Sequence, residues 1–247
     1  MEFDLYLVLA SVAALLIGMS KGGLPLVGMM SVPVLSLVMS PMKAAVLLLP
    51  LYVISDMVGI WLYRRNYSLI NLKILIPAGV AGVMIGWLTA SMISELTIKF
   101  IIGLVGVTFC LQTWFKRSQT EQPMSASVPK GAFWGTLAGF TSFIAHAGGP
   151  PFQVFMLPQK LPKAEFAGTA TILFAVINFA KIGPYQALSP YSMDDLRKVA
   201  VLIPFALMGT YLGAFLTQRI ADVWFFRLVQ TGLFLVSLKL MADAIFP

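Results

Sequence analysis

The chain has 247 residues, of which 59% are hydrophobic and only 11% are charged, and its mean hydropathy is +0.88. A soluble domain carries about 25% charged residues, so this composition excludes an ordinary soluble domain and predicts a membrane protein. The formal net charge of +7 does not indicate a nucleic-acid partner, because the Lys and Arg residues lie mostly between apolar runs, where positive-inside topology signals occur.

The chain starts without the features of a removable signal peptide. Met1 to Asp4 contain no basic region, and no small-residue cleavage site follows. We therefore expect the first apolar run to remain in the mature protein. Apolar runs lie at about 3–19, 26–40, 44–63, 74–92, 99–115, 131–145, 152–158, 164–184, 198–217 and 224–246. They predict an all-α polytopic protein surrounded by the lipid bilayer.

Two of these apolar stretches contain a glycine-proline interruption. Gly22 to Pro25 interrupts the stretch 3–40, and Gly148 to Pro151 interrupts the stretch 131–158, 126 positions further on. Residues 3–40 as one helix would reach about 57 Å, whereas the hydrocarbon core is about 30 Å thick. Each stretch is therefore predicted to form a broken or re-entrant helix hairpin. Paired breaks of this kind indicate a midplane substrate site where the two breaks face each other.

Constant offsets relate the two halves of the chain. Residue pairs at a shift of 127 are Pro77/Pro204, Gly82/Gly209, Gly86/Gly213 and Glu95/Asp222, and those at a shift of 122 are Asp56/Asn178 and Tyr63/Tyr185. These matches predict a first membrane repeat at 1–117, a connecting loop at 118–130 and a second repeat at 131–247. The Gly-xxx-Gly pairs also favour close approach of helices in a bilayer.

The two repeats are predicted to be inverted. A hairpin followed by three spans gives each half an odd net number of crossings. If the central loop is cytoplasmic, the inverted arrangement places ten loop cations inside and four outside, against eight and six for a parallel one. The positive-inside rule therefore favours inversion.

The first break combines an ammonium, a hydroxyl and glycine backbone in Ser20, Lys21, Gly22 and Gly23. A second half-helix starting near Pro25 would present unpaired N–H groups and its positive dipole end to the same place. We interpret this arrangement as an anion site and expect Lys21→Ala to abolish anion binding while the protein stays folded. The alternative is a lysine that snorkels from a loop.

The second break repeats this backbone pattern in Gly148, Gly149 and Pro150, preceded by His146, the only histidine in the chain. His146 lies opposite Ser20 at the shift of 126. It could donate to a bound anion or couple transport to protons, and the alternative is a structural histidine. No second histidine or close Cys/Asp set accompanies it, so neither a metal site nor another cofactor is predicted.

Three further polar residues lie in apolar runs. Asp56 is the one acidic residue well inside a run, Asn178 is its repeat partner, and Lys181 follows Asn178 by about one helical turn on the same face. Ionisable residues inside a membrane indicate function by default. Lys181 is therefore a candidate anion ligand, and Asp56 could balance Lys21 or Lys181 or carry a proton. A structurally paired carboxylate is the alternative.

Other polar and aromatic residues give weaker signals. Lys239 lies near the C-terminal membrane end and can snorkel. Thr169 and Thr171 could face the site, although hydroxyls in membrane helices often bond their own backbone. The aromatic residues are attributed to lipid contact and interface anchoring.

The chain contains no motif of a hydrolase, a metalloprotease or a phosphate-binding enzyme. An intramembrane hydrolase or transferase would need a serine to meet His146, and it would lose turnover in His146→Ala. A second alternative to a transporter is a scaffold or channel-like partner protein, which would show no saturable uptake.

The segments Gly18–Pro25 and Gly139–Pro151, with the Pro-x4-Gly-x3-Gly elements that follow them, resemble the sulfite exporter TauE/SafE family of bacterial membrane permeases. The resemblance runs from about Leu5 to Met241. It implies a multi-pass secondary transporter of the inner membrane for a small sulfur-containing anion such as sulfite, a sulfonate or a sulfoacetate-like compound. It also places the site at Ser20, Lys21, Gly22, Gly23, His146, Gly148, Gly149 and Pro150. Alternating access is the expected mechanism, and a homodimer is compatible with this size. With this resemblance, the scaffold or channel-like alternative would be a partner in sulfur-compound or haem handling.

Overall fold

The computed structural model describes residues 2–25, 27–39, 41–89, 92, 94–115, 123–188 and 190–245, and every regular element in these ranges is helical. The α-helices are α1 (Glu2–Lys21), α2 (Ser31–Leu35), α3 (Pro41–Tyr63), α4 (Leu69–Thr89), α5 (Glu95–Phe115), α6 (Val128–Ala145), α7 (Gly149–Met156), α8 (Lys163–Leu188), α9 (Met193–Arg219) and α10 (Asp222–Ile245). Two short 3₁₀ turns occur at Val27–Met30 and Leu157–Gln159. The predicted all-α fold is confirmed.

Five of the described helices, α3, α4, α8, α9 and α10, are long and apolar enough to cross a bilayer. Helices α1 and α5 contain the shorter apolar stretches Leu5–Lys21 and Lys99–Phe115. Large apolar side chains such as Leu88 and Trp224 are exposed on these helices, as contact with lipid requires. The chain is therefore a multi-pass membrane protein. Two of the loop cations in the topology argument, Lys116 and Arg117, lie outside the described residues.

The described chain forms two compact units, of which unit 1 comprises Met1–Tyr67 and Ala167–Ile220. Its largest helix contact joins α1 to α9. A Cβ on Gly18 would lie 1.9 Å from the Ala206 carbonyl oxygen, and one on Gly209 would lie 2.2 Å from that of Leu15. The backbones touch at these glycines, which confirms the close approach predicted from the Gly209/Gly213 pair.

Unit 2 comprises Ser68–Phe166 and Ala221–Pro247, and its largest helix contact joins α4 to α6. A Cβ on Gly82 would lie 2.0 Å from the Thr136 carbonyl oxygen, and one on Gly139 would lie 1.9 Å from that of Gly79. In unit 1, the first helix of the first sequence half (α1) thus packs on the fourth helix of the second half (α9). In unit 2, the first helix of the second half (α6) packs in the same way on the fourth helix of the first half (α4). The compact units cut across the predicted repeats at 1–117 and 131–247, and that division and the inversion remain predictions.

Each predicted hairpin is present inside its unit, because the segment after the first break packs back on α1 and α7 packs back on α6. The predicted half-helix near Pro25 begins as a 3₁₀ turn at Val27. Pro25 lies in a turn, the Val27 N–H bonds the Leu24 carbonyl 3.0 Å away, and α2 begins only at Ser31. This tight three-residue bond produces a 3₁₀ turn first, so the helix after the first break is only five residues long.

Candidate functional site

Helix α1 ends in a glycine turn of the Schellman type. Gly23 has φ +113°, which only glycine adopts without strain. Its N–H bonds the Ser20 carbonyl at 3.4 Å, and the Leu24 N–H bonds the Met19 carbonyl at 3.2 Å. The sequence carries the signal for this turn, a glycine followed by an apolar residue at the helix end.

The backbone donors of this turn are bonded within the segment. The Gly22 N–H bonds the Gly18 carbonyl at 2.9 Å, and those of Gly23, Leu24 and Val27 are bonded as well. Of the N–H groups expected to be unpaired at the start of the second half-helix, that of Val27 is therefore paired, and the others remain a prediction. Gly22 and Gly23 remain predicted substrate contacts, and a side chain brings positive charge to the first break.

That side chain is Lys21, the last residue of α1, which is 5% exposed. Its Nζ lies 2.8 Å from Oδ1 of Asp56 on α3, and the carboxylate is completely buried. Asn178 on α8 donates from Nδ2 to Oδ2 of the same carboxylate at 2.8 Å. Asp56 and Asn178, which the shift of 122 relates in the sequence, are therefore in contact in the structure.

Lys181 lies one turn after Asn178 on α8 and is also completely buried. It interacts electrostatically with Lys21 and Asp56, and among the described residues it forms no ion pair. We call Lys21, Asp56, Asn178 and Lys181 the lysine–aspartate cluster. The structure brings these four predicted residues together in unit 1, with two lysines and one carboxylate.

Two aromatic rings complete the surroundings of Lys21, whose Nζ lies 5.1 Å from the ring centroid of Tyr52 and 5.8 Å from that of Phe174. Ring faces at this distance attract a cation. Attributing all aromatic residues to lipid contact and the interface is wrong for Tyr52, which is 7% exposed. A signal was available, because Tyr52 precedes Asp56 by four residues, Phe174 precedes Asn178 by four, and the same shift of 122 relates the two rings.

Two hydroxyl groups hold the backbone of the first break in place. Tyr63 donates from Oη to the Gly22 carbonyl at 2.7 Å, and Thr171 donates from Oγ1 to the Lys21 carbonyl at 3.2 Å. These bonds tie the end of α1 to α3 and α8, the helices that carry Asp56, Asn178 and Lys181. These two bonds therefore fix the backbone of Lys21 and Gly22 against α3 and α8.

Ser20 is buried, and its Oγ donates to the Ile17 carbonyl at 2.7 Å within α1. A hydroxyl used in this way bonds its own helix rather than projecting as an open donor. Its predicted contact with substrate remains a prediction.

The second break lies in unit 2 and is built differently. His146 ends α6 in the left-handed conformation, with φ 49°, and so takes the helix-ending position that Gly23 takes in the first break. Helix α7 begins at Gly149 with two prolines in its first turn. Because proline lacks an N–H group, this helix start offers fewer backbone donors than expected. The substrate contacts of His146, Gly148, Gly149 and Pro150 remain predictions.

Gln153 on α7 is a buried polar residue that was not predicted from the sequence. This side chain is completely buried, and neither Oε1 nor Nε2 has a hydrogen-bond partner among the described residues. Burying an amide without hydrogen bonds costs about 1–3 kcal/mol. The second hairpin therefore contains a polar group that its own packing does not satisfy.

We expect Gln153→Met to increase the free energy of unfolding by about 1–2 kcal/mol, because it fills a similar volume and removes an unsatisfied amide. Thermal unfolding in detergent micelles measures the change.

Gln159 provides the matched control, since its amide bonds Asn71 at 2.9 and 3.2 Å and the Phe155 carbonyl at 3.2 Å. Gln159→Met should destabilise the protein because it leaves Asn71 without these bonds. A loss of stability in Gln153→Met of the same size would show that Gln153 does have a partner.

Comparison with known proteins gives a family match. The family described as sulfite exporter TauE/SafE matches residues 8–240, nearly the whole chain. No curated protein and no solved structure matches the chain.

Proposed function

The chain belongs to the sulfite exporter TauE/SafE family, and from this membership we propose that it is a secondary transporter of a small sulfur-containing anion in the bacterial inner membrane. The substrate is sulfite, a sulfonate or a sulfoacetate-like compound, and transport proceeds by alternating access. Membership supports a permease and does not select among these anions.

The observation that carries the proposal is the excess of buried basic groups in the lysine–aspartate cluster. Two lysines share one carboxylate inside unit 1, and both are at most 5% exposed. A buried charge requires a partner. An anion beside Lys181 supplies the missing counter-charge, and the Asn178 amide and the Lys21 ammonium lie within the same cluster as further donors.

Lys181 is the more informative residue to replace. Lys21→Ala was predicted to abolish binding without unfolding, but Lys21 also neutralises Asp56, so its loss changes stability as well. Lys181 has no such role, and its removal tests anion binding more directly.

We expect purified protein in liposomes to show saturable uptake of sulfite or sulfoacetate, and we expect Lys181→Met to reduce it at least tenfold through loss of the counter-charge. Tracer uptake over a range of concentrations measures both.

Lys239→Met is the control for this experiment. Lys239 pairs with Asp243 within α10, and both side chains are 39% exposed, so this variant should transport like the wild type. Uptake by the wild type that never saturates, or none, would contradict the proposal in favour of a channel-like protein or a scaffold.

A further inference from the structure

The single carboxylate of the lysine–aspartate cluster is already paired with Lys21 and Asn178. Asp56 Oδ1 lies 2.8 Å from the Lys21 ammonium, and Asp56 Oδ2 accepts the Asn178 amide at 2.8 Å. Lys181 makes no ion pair with the described residues. The cluster thus provides one complete ion pair and one additional lysine.

A completely buried ammonium without a counter-ion is unstable, and such a group releases its proton instead of staying charged. The charged groups that act on Lys181 in the described chain are Lys21 on α1 and Asp56 on α3. Lys21 repels a second cation, and the attraction of Asp56 is already offset by Lys21. Without an anion beside it, burial and the charge of Lys21 therefore favour the neutral amine of Lys181.

We propose that Lys181 takes up a proton when the anion binds, so that one proton accompanies each anion in the cluster. This inference rests on the proposed function. The anion supplies the counter-charge that the empty site lacks, and by linkage the proton strengthens anion binding as much as the anion strengthens proton binding. The proton comes from water and returns to water when the anion leaves.

The charges of the cluster balance in both states for a monoanion. The empty cluster holds Lys21⁺, Asp56⁻ and a neutral Lys181, and the loaded cluster adds one proton and one negative charge. Since a net charge inside a membrane is costly, both forms are suited to the conformational change of a transporter. Transport of the monoanion is then electroneutral and coupled to protons.

Isothermal titration calorimetry on the full chain in detergent micelles tests this inference, with sulfite and methanesulfonate as the two probes. Heats of binding are compared in two buffers that differ in ionisation enthalpy. At mildly alkaline pH we expect the protein to take up about one proton per bound anion. The affinity for the anion should then fall about tenfold for each unit by which the pH is raised. Methanesulfonate does not titrate in this range, so any proton taken up with it binds to the protein. Sulfite itself can exchange a proton, but this contribution is the same for the wild type and a variant and cancels when the two are compared.

Variants assign the proton to its residue. Lys181→Arg keeps a permanent positive charge and should bind the anion without proton uptake, which a purely structural role would not predict. Lys181→Met should lose proton uptake and most of the affinity, whereas Lys239→Met should keep both. If Lys181→Met does not fold, the wild type and Lys181→Arg suffice.

The possible results test proton uptake by Lys181 separately from the proposed transport function. Anion binding by the wild type without proton uptake overturns the inference and leaves the proposed function intact. Proton uptake that persists in Lys181→Arg also overturns it and assigns the proton to another group, such as Asp56 or His146. Failure of both probes to bind contradicts the proposed function and the inference together.

Discussion

Asp56→Asn should lower the free energy of unfolding by about 3–5 kcal/mol in the absence of an anion, because it leaves the buried Lys21 without its counter-ion. The replacement keeps the size of the side chain and its contact with Asn178, so the loss reports on charge alone. Thermal or denaturant unfolding in detergent micelles measures it. Sulfite should stabilise this variant at concentrations that saturate binding, since the anion substitutes for the missing carboxylate.

The double variant Lys21→Met/Asp56→Asn is the matched control for this prediction. It removes both charges of the ion pair and should recover most of the lost stability, because an unpaired buried charge costs more than a buried pair contributes. Transport should not recover, since Lys21 is a proposed anion ligand. A single Asp56→Asn variant as stable as the wild type would contradict the ion pair seen in the structure.

The sequence identifies the members of this cluster but not their pairing. Lys21, Asp56 and Lys181 were singled out because ionisable groups are rare and costly inside apolar runs. Asn178 followed from the repeat shift of 122. Which lysine neutralises Asp56 depends on how α1, α3 and α8 pack, and Lys21 is 35 positions from Asp56 in the chain. The spacing of residues along one helix does not show which side chains meet where three helices pack together.

The fold shows the same limit. Gly82 and Gly209 predicted close helix contacts, and the structure confirms that their backbones touch a neighbouring helix. The identity of that neighbour, the first helix of the other sequence half, could not be predicted, because a glycine pair marks a contact surface without naming its partner. Because α1 packs on α9 and α6 packs on α4, each compact unit contains helices from both sequence halves.

Backbone chemistry at the breaks was predicted least well. The glycines and prolines correctly marked where helices stop, since these residues end helices for steric reasons. They did not show whether the freed N–H groups stay open. At Gly23 the chain turns back and bonds those groups locally, and at α7 two prolines remove them. The positive charge at the first break is therefore that of a lysine side chain, Lys21.

The glycine at the first break leads to a second large expected effect. Gly23→Ala should lower the free energy of unfolding by about 1–3 kcal/mol through backbone strain, because φ +113° is unfavourable for any residue with a Cβ atom. The new Cβ would also lie 2.3 Å from Tyr63 Oη and 2.7 Å from Thr217 Oγ1. Displacing Tyr63 breaks its bond to the Gly22 carbonyl and adds about 1 kcal/mol to the loss. Unfolding of the purified variant in micelles measures the total.

Gly183→Ala is the control for this substitution. Gly183 lies within α8, and apart from its chain neighbours and its own helix a Cβ atom there would meet nothing within 4 Å. The higher helix propensity of alanine is opposed by the ring of Pro184, which follows it, so Gly183→Ala should change the stability little. The different effects of the two substitutions separate a glycine required by conformation from one that is not. Because Lys21 precedes Gly23 by two residues, Gly23→Ala should also weaken anion binding, whereas Gly183→Ala should not. Equal stability of the two variants would contradict the glycine turn as the device that positions Lys21.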